Sequence, residues 1–500
     1  MEDIIKITQI KNLNKLNFNT TLNIPIDANT SIKTLLDVDL FLFDQKVECG
    51  NGKAIISGKI GAKVLYIDTD NITNTLTESI SFSETYQDGS ITNDTYLNVF
   101  NSSINHNVLS TDGTLKINCN VNINPIAYLN LPLKNNVKPS DILITKKSEL
   151  TTKTISQTIN TKFDYTSNLE TKDNVTKILY HNCYFTPEKT TAQDNLLIVE
   201  GKMVSSVVYE SNINDDQVVK EIHDVSSLKY DIEITNLEKD AVLDLSFKLD
   251  RSVSEILTEF DEDINIITIK NQIMVCGVCL KNVSIDIIDD VFSTINEVEA
   301  TSCKREYTKY AEKFTVSEVI SNETSLQTEE PAIDEVIANL NIVPEVTNTY
   351  VKDSNVFIEG LVSSNLIYID ENKAIQTKQL ESPFIINTKI QAEKLDGIHV
   401  DITVIDNRVK VKRGTIVEME YSLFANLSIY EKCEQEMVDN LTIGKQLDFS
   451  KYDFQIFIAK QNESIWDLCK RIKISPNDIY KYNKELPLVM QGGEKIVIKR

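Results

Sequence analysis

Residues 357–370 read FIEGLVSSNLIYID, residues 198–211 read IVEGKMVSSVVYES and residues 55–68 read IISGKIGAKVLYID. Gly360, Gly201 and Gly58 each precede a tyrosine by eight residues, at Tyr368, Tyr209 and Tyr66. An LIY, VVY or VLY triplet closes each copy. Recurrence at a separation near 150 residues marks a repetition of whole domains. The runs are dense in β-branched and aromatic residues, which suit a pleated surface, and read as strands.

Upstream of each strand the apolar positions also coincide. Ile32, Leu35 and Leu36 correspond to Val175, Ile178 and Leu179, and to Ile333, Val336 and Ile337. A spacing of i, i+3, i+4 is one face of a short helical turn, or of a helix leading into a strand. Polar turns follow each tyrosine, and each copy closes on further alternating segments such as Val400, Ile402 and Val404. The expectation is three mainly β domains, residues 20–133, 160–293 and 315–433. Each is an antiparallel, sandwich-like fold with at most a short helix. Polar stretches such as residues 131–153 and 293–310 separate them.

The last 47 residues, 454–500, change character. FQIFI opens as a strand. Ser464 offers an N-cap to a helix with Ile465, Leu468 and Cys469 on one face. Ser475-Pro476 opens a second helix, Gly492-Gly493 make a turn, and KIVIK closes as a strand. The order strand–helix–helix–strand makes a small α/β module.

Composition bounds the function. The chain has 500 residues, a 41% hydrophobic content and a net charge of −23. So acidic a chain repels phosphate backbones, which argues against nucleic acid as a partner. Residues 454–500 carry nine Lys and Arg against five Asp and Glu, leaving −27 on the rest. No run reaches the 18 apolar residues of a membrane span, so no membrane insertion is expected. The N-terminal MEDIIKITQIKNLNKLNF has no secretory pattern, which points to the cytosol. In that compartment the eight cysteines are expected to be thiols.

Chemistry-bearing patterns are sparse. His106, His181, His223 and His399 are scattered, and there is no HExxH, G-x-S-x-G or phosphate loop. Cys276-Gly-Val-Cys279 lies inside the apolar run IMVCGVCL, where strand alternation sends residues three apart to opposite faces. It lacks the second pair of a zinc site and reads as buried strand cysteines. RVKVKR at 408–413 reads as a solvated or edge-protecting strand. Catalytic residues, metal and cofactor are all expected to be absent.

The tail resembles a LysM domain. The opening IFIAK, Trp466, SPNDIYKYN and QGGEKIVI carry the match. The resemblance implies a shallow groove between two loops, the usual seat of N-acetylglucosamine polymers. Its walls would be Gln461, Asn462, Glu463, Ser464 and Ile465 on one side, with Asn483, Lys484, Glu485, Leu486 and Pro487 opposite. Asn462-Glu463-Ser464 stands where the family commonly has Gly-Asp-Thr. The three repeats resemble the SPOCS domain of spore-coat-associated proteins, through the segment at 332–337, VFIEG, LIYID and PFIINTKI. That resemblance implies a non-enzymatic scaffold in the mother-cell cytosol at the forespore surface. Its implied partners are the ATPase of the coat basement layer and other coat proteins. The alternative is a peptidoglycan-binding protein acting through the LysM groove.

Overall fold

The computed structural model describes residues 6–26, 31–99, 102–111, 114–132, 142–213, 216–239, 241–259, 264–327, 329–391, 395–448 and 454–499. Strand dominates. Among the described residues the only helices lie in the tail.

The first repeat comprises β1 (Lys6–Asn12), β2 (Leu16–Pro25), β3 (Ile32–Gly50), β4 (Lys53–Asp68), β5 (Thr73–Gln87), β6 (Tyr96–Asn98), β7 (Ser102–Thr111), β8 (Thr114–Ile123) and β9 (Ile126–Pro132). The second comprises β10 (Leu143–Thr171), β11 (Val175–Gln193), β12 (Leu196–Ile213), β13 (Asp216–Glu233), β14 (Val242–Glu259) and β15 (Ile264–Ser293). The third comprises β16 (Asn296–Ser325), β17 (Ile333–Lys352), β18 (Asn355–Asp370), β19 (Ile375–Lys389), β20 (Leu395–Lys412) and β21 (Ile416–Gln446). Each repeat stacks two antiparallel layers. One is a meander: β3-β4-β5, β11-β12-β13 or β17-β18-β19. The other pairs the repeat's first strand with its last: β10-β15-β14 in the second repeat and β16-β21-β20 in the third. In the first repeat this layer is split into β2-β8-β7 and β1-β9-β6. Pro125, which has no N–H to give a ladder, sits at the break between β8 and β9. The described parts of the stretches read in sequence as separators are largely strand, residues 133–141 lying outside the described residues. β15 runs 30 residues and β21 runs 31, so each spans about 100 Å of contour at ~3.3 Å per residue.

The expected helical turns at the head of each meander are absent. The segments are the starts of β3, β11 and β17, and each carries two β-bulges. The ladder slips at Ile32/Thr34 and Leu35/Asp37, at Val175/Lys177 and Ile178/Tyr180, and at Ile333/Glu335 and Val336/Ala338. A bulge inserts one unpaired residue, so a two-residue period becomes three and mimics helical spacing. The residue skipped at the second bulge is Leu36, Leu179 or Ile337. Those three meet one another, with Leu65, Val208 and Ile367, in a core shared by all three repeats.

This explains the repeated triplet. Val64, Val207 and Leu366 point into their own sandwiches. The middle residues, Leu65, Val208 and Ile367, alternate to the opposite face and fill the shared core. A strand covered on both faces needs continuous apolar sequence. The glycine is equally determined. Each repeat has a further ladder slip opposite it, at Phe43/Lys46, Pro187/Lys189 and Val346/Asn348. At Gly201 and Gly360 the bulged strand brings a backbone carbonyl so close that an added methyl would lie 2.3 Å from it.

A second shared core lies at the other end of the sandwiches. Three directly opposed pairs, Ile10 with Tyr128, Ile155 with Leu280 and Tyr310 with Tyr430, come from the three repeats and pack together. Ile7, Leu150, Ile287, Tyr307 and Met437 continue this column outward. Between the two shared cores, alternate residues of β14 bond to the first repeat. Asp244 accepts from the Tyr128 hydroxyl at 2.6 Å and Ser246 from Asn98 at 3.0 Å. Lys248 donates to Gln45 at 3.0 Å, and Asp250 accepts from the Asp44 amide at 2.9 Å. The repeats are therefore fused through apolar and polar contacts rather than strung as beads.

Asp37 joins the first repeat to the third. Asn365 donates to its Oδ1 at 2.5 Å, while Oδ2 has no partner among the described residues. Burial pushes its carboxyl up to about 7, against the lowering effect of Asn365. An acid with a raised folded pKa stabilises below its ordinary pKa near 4, and that benefit fades as pH rises through the folded value. Asp37→Asn is therefore expected to melt higher than wild type at pH 8, by on the order of 2–4 kcal/mol, and to match it at pH 4. A pH-independent difference in thermal midpoint would contradict this reading.

Candidate functional site

The tail folds as β22 (Phe454–Ile458), α1 (Ile465–Ile472), α2 (Pro476–Tyr482) and β23 (Lys495–Lys499), the order expected from sequence. The Ser464 hydroxyl accepts from the Asp467 amide at 3.1 Å, and Ser475 caps α2 by accepting from the Asp478 amide at 3.1 Å. Ile465, Leu468, Cys469, Ile472 and Ile479 face Ile496 and Ile498 of β23 in one small core. β22 and β23 pair antiparallel, and the helices cover one face of the ribbon.

The two loops of the expected groove lie side by side, laced by backbone bonds. Asn462 donates to Met490 at 3.0 Å, Met490 donates to Glu463 at 2.8 Å, and Ile465 donates to Leu488 at 3.1 Å. Half of the ten residues named from sequence hold the module together. Glu463 is buried, accepts from the Lys460 amide at 2.9 Å, and takes two bonds from Arg471 at 2.6 and 2.8 Å. Those Arg471 bonds hold its carboxyl below the usual range against the effect of burial. Ser464 is the cap and Ile465 is core. Asn483 staples α2 to β23: its amide donates to Ile479 and Val497 at 2.8 Å each and accepts from the Val497 amide at 2.8 Å. Leu486 packs against the core. Gln461, Asn462, Lys484, Glu485 and Pro487 remain exposed to solvent.

The uncovered face of the ribbon is the feature the sequence reading passed over. Phe454, Ile456 and Ile458 project from it, 60%, 58% and 53% exposed. Their cross-strand neighbours are Lys499, Val497 and Lys495. Neither lysine has an ion-pair partner among the described residues. Leu488 and Val489, also exposed, follow on the adjoining loop. A signal was available. FQIFI is apolar on both alternations at Phe457 and at Phe454, Ile456 and Ile458, yet one layer of helices covers only one face.

Trp466 faces outward from the tail, against the second repeat. Its indole donates to Asp290 of β15 at 2.7 Å, and its ring meets Phe292 edge-on at 5.1 Å. Lys470 donates to the same carboxylate at 2.6 Å. Beside this junction a cleft of about 640 Å³ opens between the ends of β10/β15 and β16/β21, with Ser148, Asp289, Ser302 and Glu436 among its walls.

The remaining candidates carry no reactive arrangement. Burial pushes the Cys276 thiol up to about 12 and the Cys279 thiol to about 11. Burial, then the charge of Lys63, pushes the His181 ring down to about 3, so it is neutral, bonding Ser254 and the Ser252 carbonyl. RVKVKR closes β20, an edge strand, where Arg408 lies 3.9 Å from Glu420 and Lys412 pairs with Glu418 on the neighbouring strand, so two of its four basic side chains are paired in place. Among the described residues no group of three or more His, Cys, Asp or Glu could hold a metal ion, and no helix is long and apolar enough to cross a membrane. Comparison with protein-family models, curated proteins and solved structures finds no match to this chain. The fold and site thus define a class only: a fused array of three β-sandwich repeats ending in a small module with an uncovered apolar face.

Proposed function

We propose that the chain is a non-enzymatic scaffold that docks a protein partner through its tail. The observation that carries this reading is the exposed Phe454–Ile456–Ile458 stripe flanked by Lys495 and Lys499, neither of them ion-paired among the described residues. An apolar patch rimmed by charge is the signature of a protein-binding surface. The lysines select for an acidic rim on the partner. The resemblance to SPOCS and LysM proteins adds the setting: the mother cell, the forespore surface, and the basement-layer ATPase of the spore coat as the partner. The fusion of the repeats through shared cores suits a spacer that holds bound partners apart. The glycan reading is less supported, because Glu463, Ser464, Ile465 and Asn483 are committed to the tail's own fold.

Ile456→Asp should abolish capture of the basement-layer ATPase by the full-length protein. The thermal midpoint should stay within ~1 °C, since a solvent-facing substitution costs little. Sedimentation with insoluble peptidoglycan serves as the parallel arm. Undiminished ATPase capture by the variant would refute the stripe as the docking surface, and peptidoglycan binding lost in a Gln461/Lys484 double alanine variant would establish the groove instead.

A further inference from the structure

We infer that the tail is latched to the body of the protein, with the tip of the second repeat as its receptor and Asp290 as the catch. The latch fixes the direction in which the partner-facing ribbon points.

Three observations converge on this contact. Both oxygens of Asp290 are engaged from α1: Oδ2 accepts from Trp466 Nε1 at 2.7 Å and Oδ1 from Lys470 Nζ at 2.6 Å. Trp466 and Lys470 are four residues apart, so they lie on one helix face, beside the face that Leu468 and Cys469 bury within the tail. Phe292, near the end of β15, belongs to the hydrophobic core of the tail rather than to that of its own repeat, and it is 1% exposed. Ile144, its cross-strand partner, joins it there. The tail thus completes its core with residues lent by another domain. Trp466 is partly buried, so its N–H gains from a protein acceptor, and a carboxylate shared with an ammonium is a strong one.

The polar catch is also open to solvent. The side chains of Lys470 and Asp290 remain 40% and 26% exposed, so water and salt compete for the pair. Contacts of this kind between domains of one chain are commonly transient. The Phe454–Ile458 stripe lies on the ribbon face that the helices leave uncovered, so it stays accessible whether the latch is open or closed. What changes is its position relative to the three repeats.

Trp466 is the single tryptophan of the chain, so intrinsic fluorescence of the full-length protein reads the latch directly. Wild type should show blue-shifted emission and weak acrylamide quenching. Asp290→Ala should shift emission to the red and raise the quenching constant several-fold, with Asp290→Asn intermediate because an amide oxygen still accepts from the indole. Cys469, fully buried inside the tail, separates undocking from unfolding. It should stay protected from alkylation in all three proteins, as mapped by peptide mass. Quenching that is equal in wild type and Asp290→Ala would overturn the latch. So would a Cys469 that becomes reactive in Asp290→Ala, since Asp290 would then be part of the fold of the tail rather than its catch.

Discussion

Asp244→Ala is expected to lower the stability of the three repeats by about 3–5 kcal/mol, the scale seen when one member of a buried ionic network is removed. Asp244 is buried where all three repeats meet. Its Oδ2 accepts from Tyr128 of the first repeat at 2.6 Å and from Tyr430 of the third at 3.1 Å. Its Oδ1 accepts from Ser428 at 3.2 Å, and the ammonium of Lys313 lies 3.8 Å away. Burial, then the charge of Asp244 itself, drives both tyrosine hydroxyls well above their ordinary pKa, so they act only as neutral donors. Truncation removes the acceptor shared by Tyr128, Tyr430 and Ser428 and the carboxylate 3.8 Å from the Lys313 ammonium. Each buried unsatisfied group costs ~1–3 kcal/mol. Because the lost bonds cross repeat boundaries, the urea transition should also broaden as the repeats lose their coupling. Asp244→Asn, which keeps an acceptor but not the charge, should fall between. Urea denaturation followed by circular dichroism checks both. A midpoint unchanged in the alanine variant would mean the network is incidental.

The sequence exposed some levels of this structure and hid others, for physical reasons. The repeat, the strand content and the βααβ tail were legible because they depend on local periodicity and on caps such as Ser464 and Ser475. The i, i+3, i+4 spacing of Ile32, Leu35 and Leu36 was legible as a pattern but not as a structure. A doubly bulged strand and a helical turn place apolar residues at the same intervals. Only the partner strand, with Tyr66 opposite Leu35 and Leu65 opposite Asp37, distinguishes them. The shared cores were out of reach because they join residues some 150 and 300 positions apart, as Tyr128 joins Tyr430. In the tail, the candidate residues Glu463 and Asn483 are polar, as groove residues are. Polarity alone does not reveal that Arg471 and Val497 already occupy them. Trp466 is the converse case: its role depends on Asp290, 176 positions away, which no local pattern connects to it.

The repeated glycines allow the bulge reading to be tested, because the three sites differ in how tightly they are closed. A methyl group at Gly360 would lie 2.3 Å from the Glu345 carbonyl oxygen and 2.3 Å from the Phe384 ring. At Gly201 it would lie 2.3 Å from the Thr186 carbonyl and 2.8 Å from the Phe185 ring. At Gly58 the nearest atoms are the Phe82 ring at 3.0 Å and the Phe43 carbonyl at 3.2 Å. Side-chain rings can rotate to relieve such contacts, but a carbonyl held in a ladder cannot move without breaking the ladder. In an ordinary strand, replacing glycine with alanine stabilises by roughly 0.5–1 kcal/mol through lost freedom of the unfolded chain. Gly58→Ala should combine that gain with a modest strain and remain within ~1 kcal/mol of wild type. Gly201→Ala and Gly360→Ala should instead lose about 3 kcal/mol or more, because overpacking against fixed backbone is not relieved by repacking. Gly360→Ala should be the worse of the two, since the ring facing it stands at 2.3 Å against 2.8 Å at Gly201, and both rings are buried in their cores. Equilibrium urea titration of the three variants gives the ranking. Equal losses at all three positions would mean that glycine is kept for backbone flexibility. The predicted inequality would mean that it is kept for the carbonyl that crosses it.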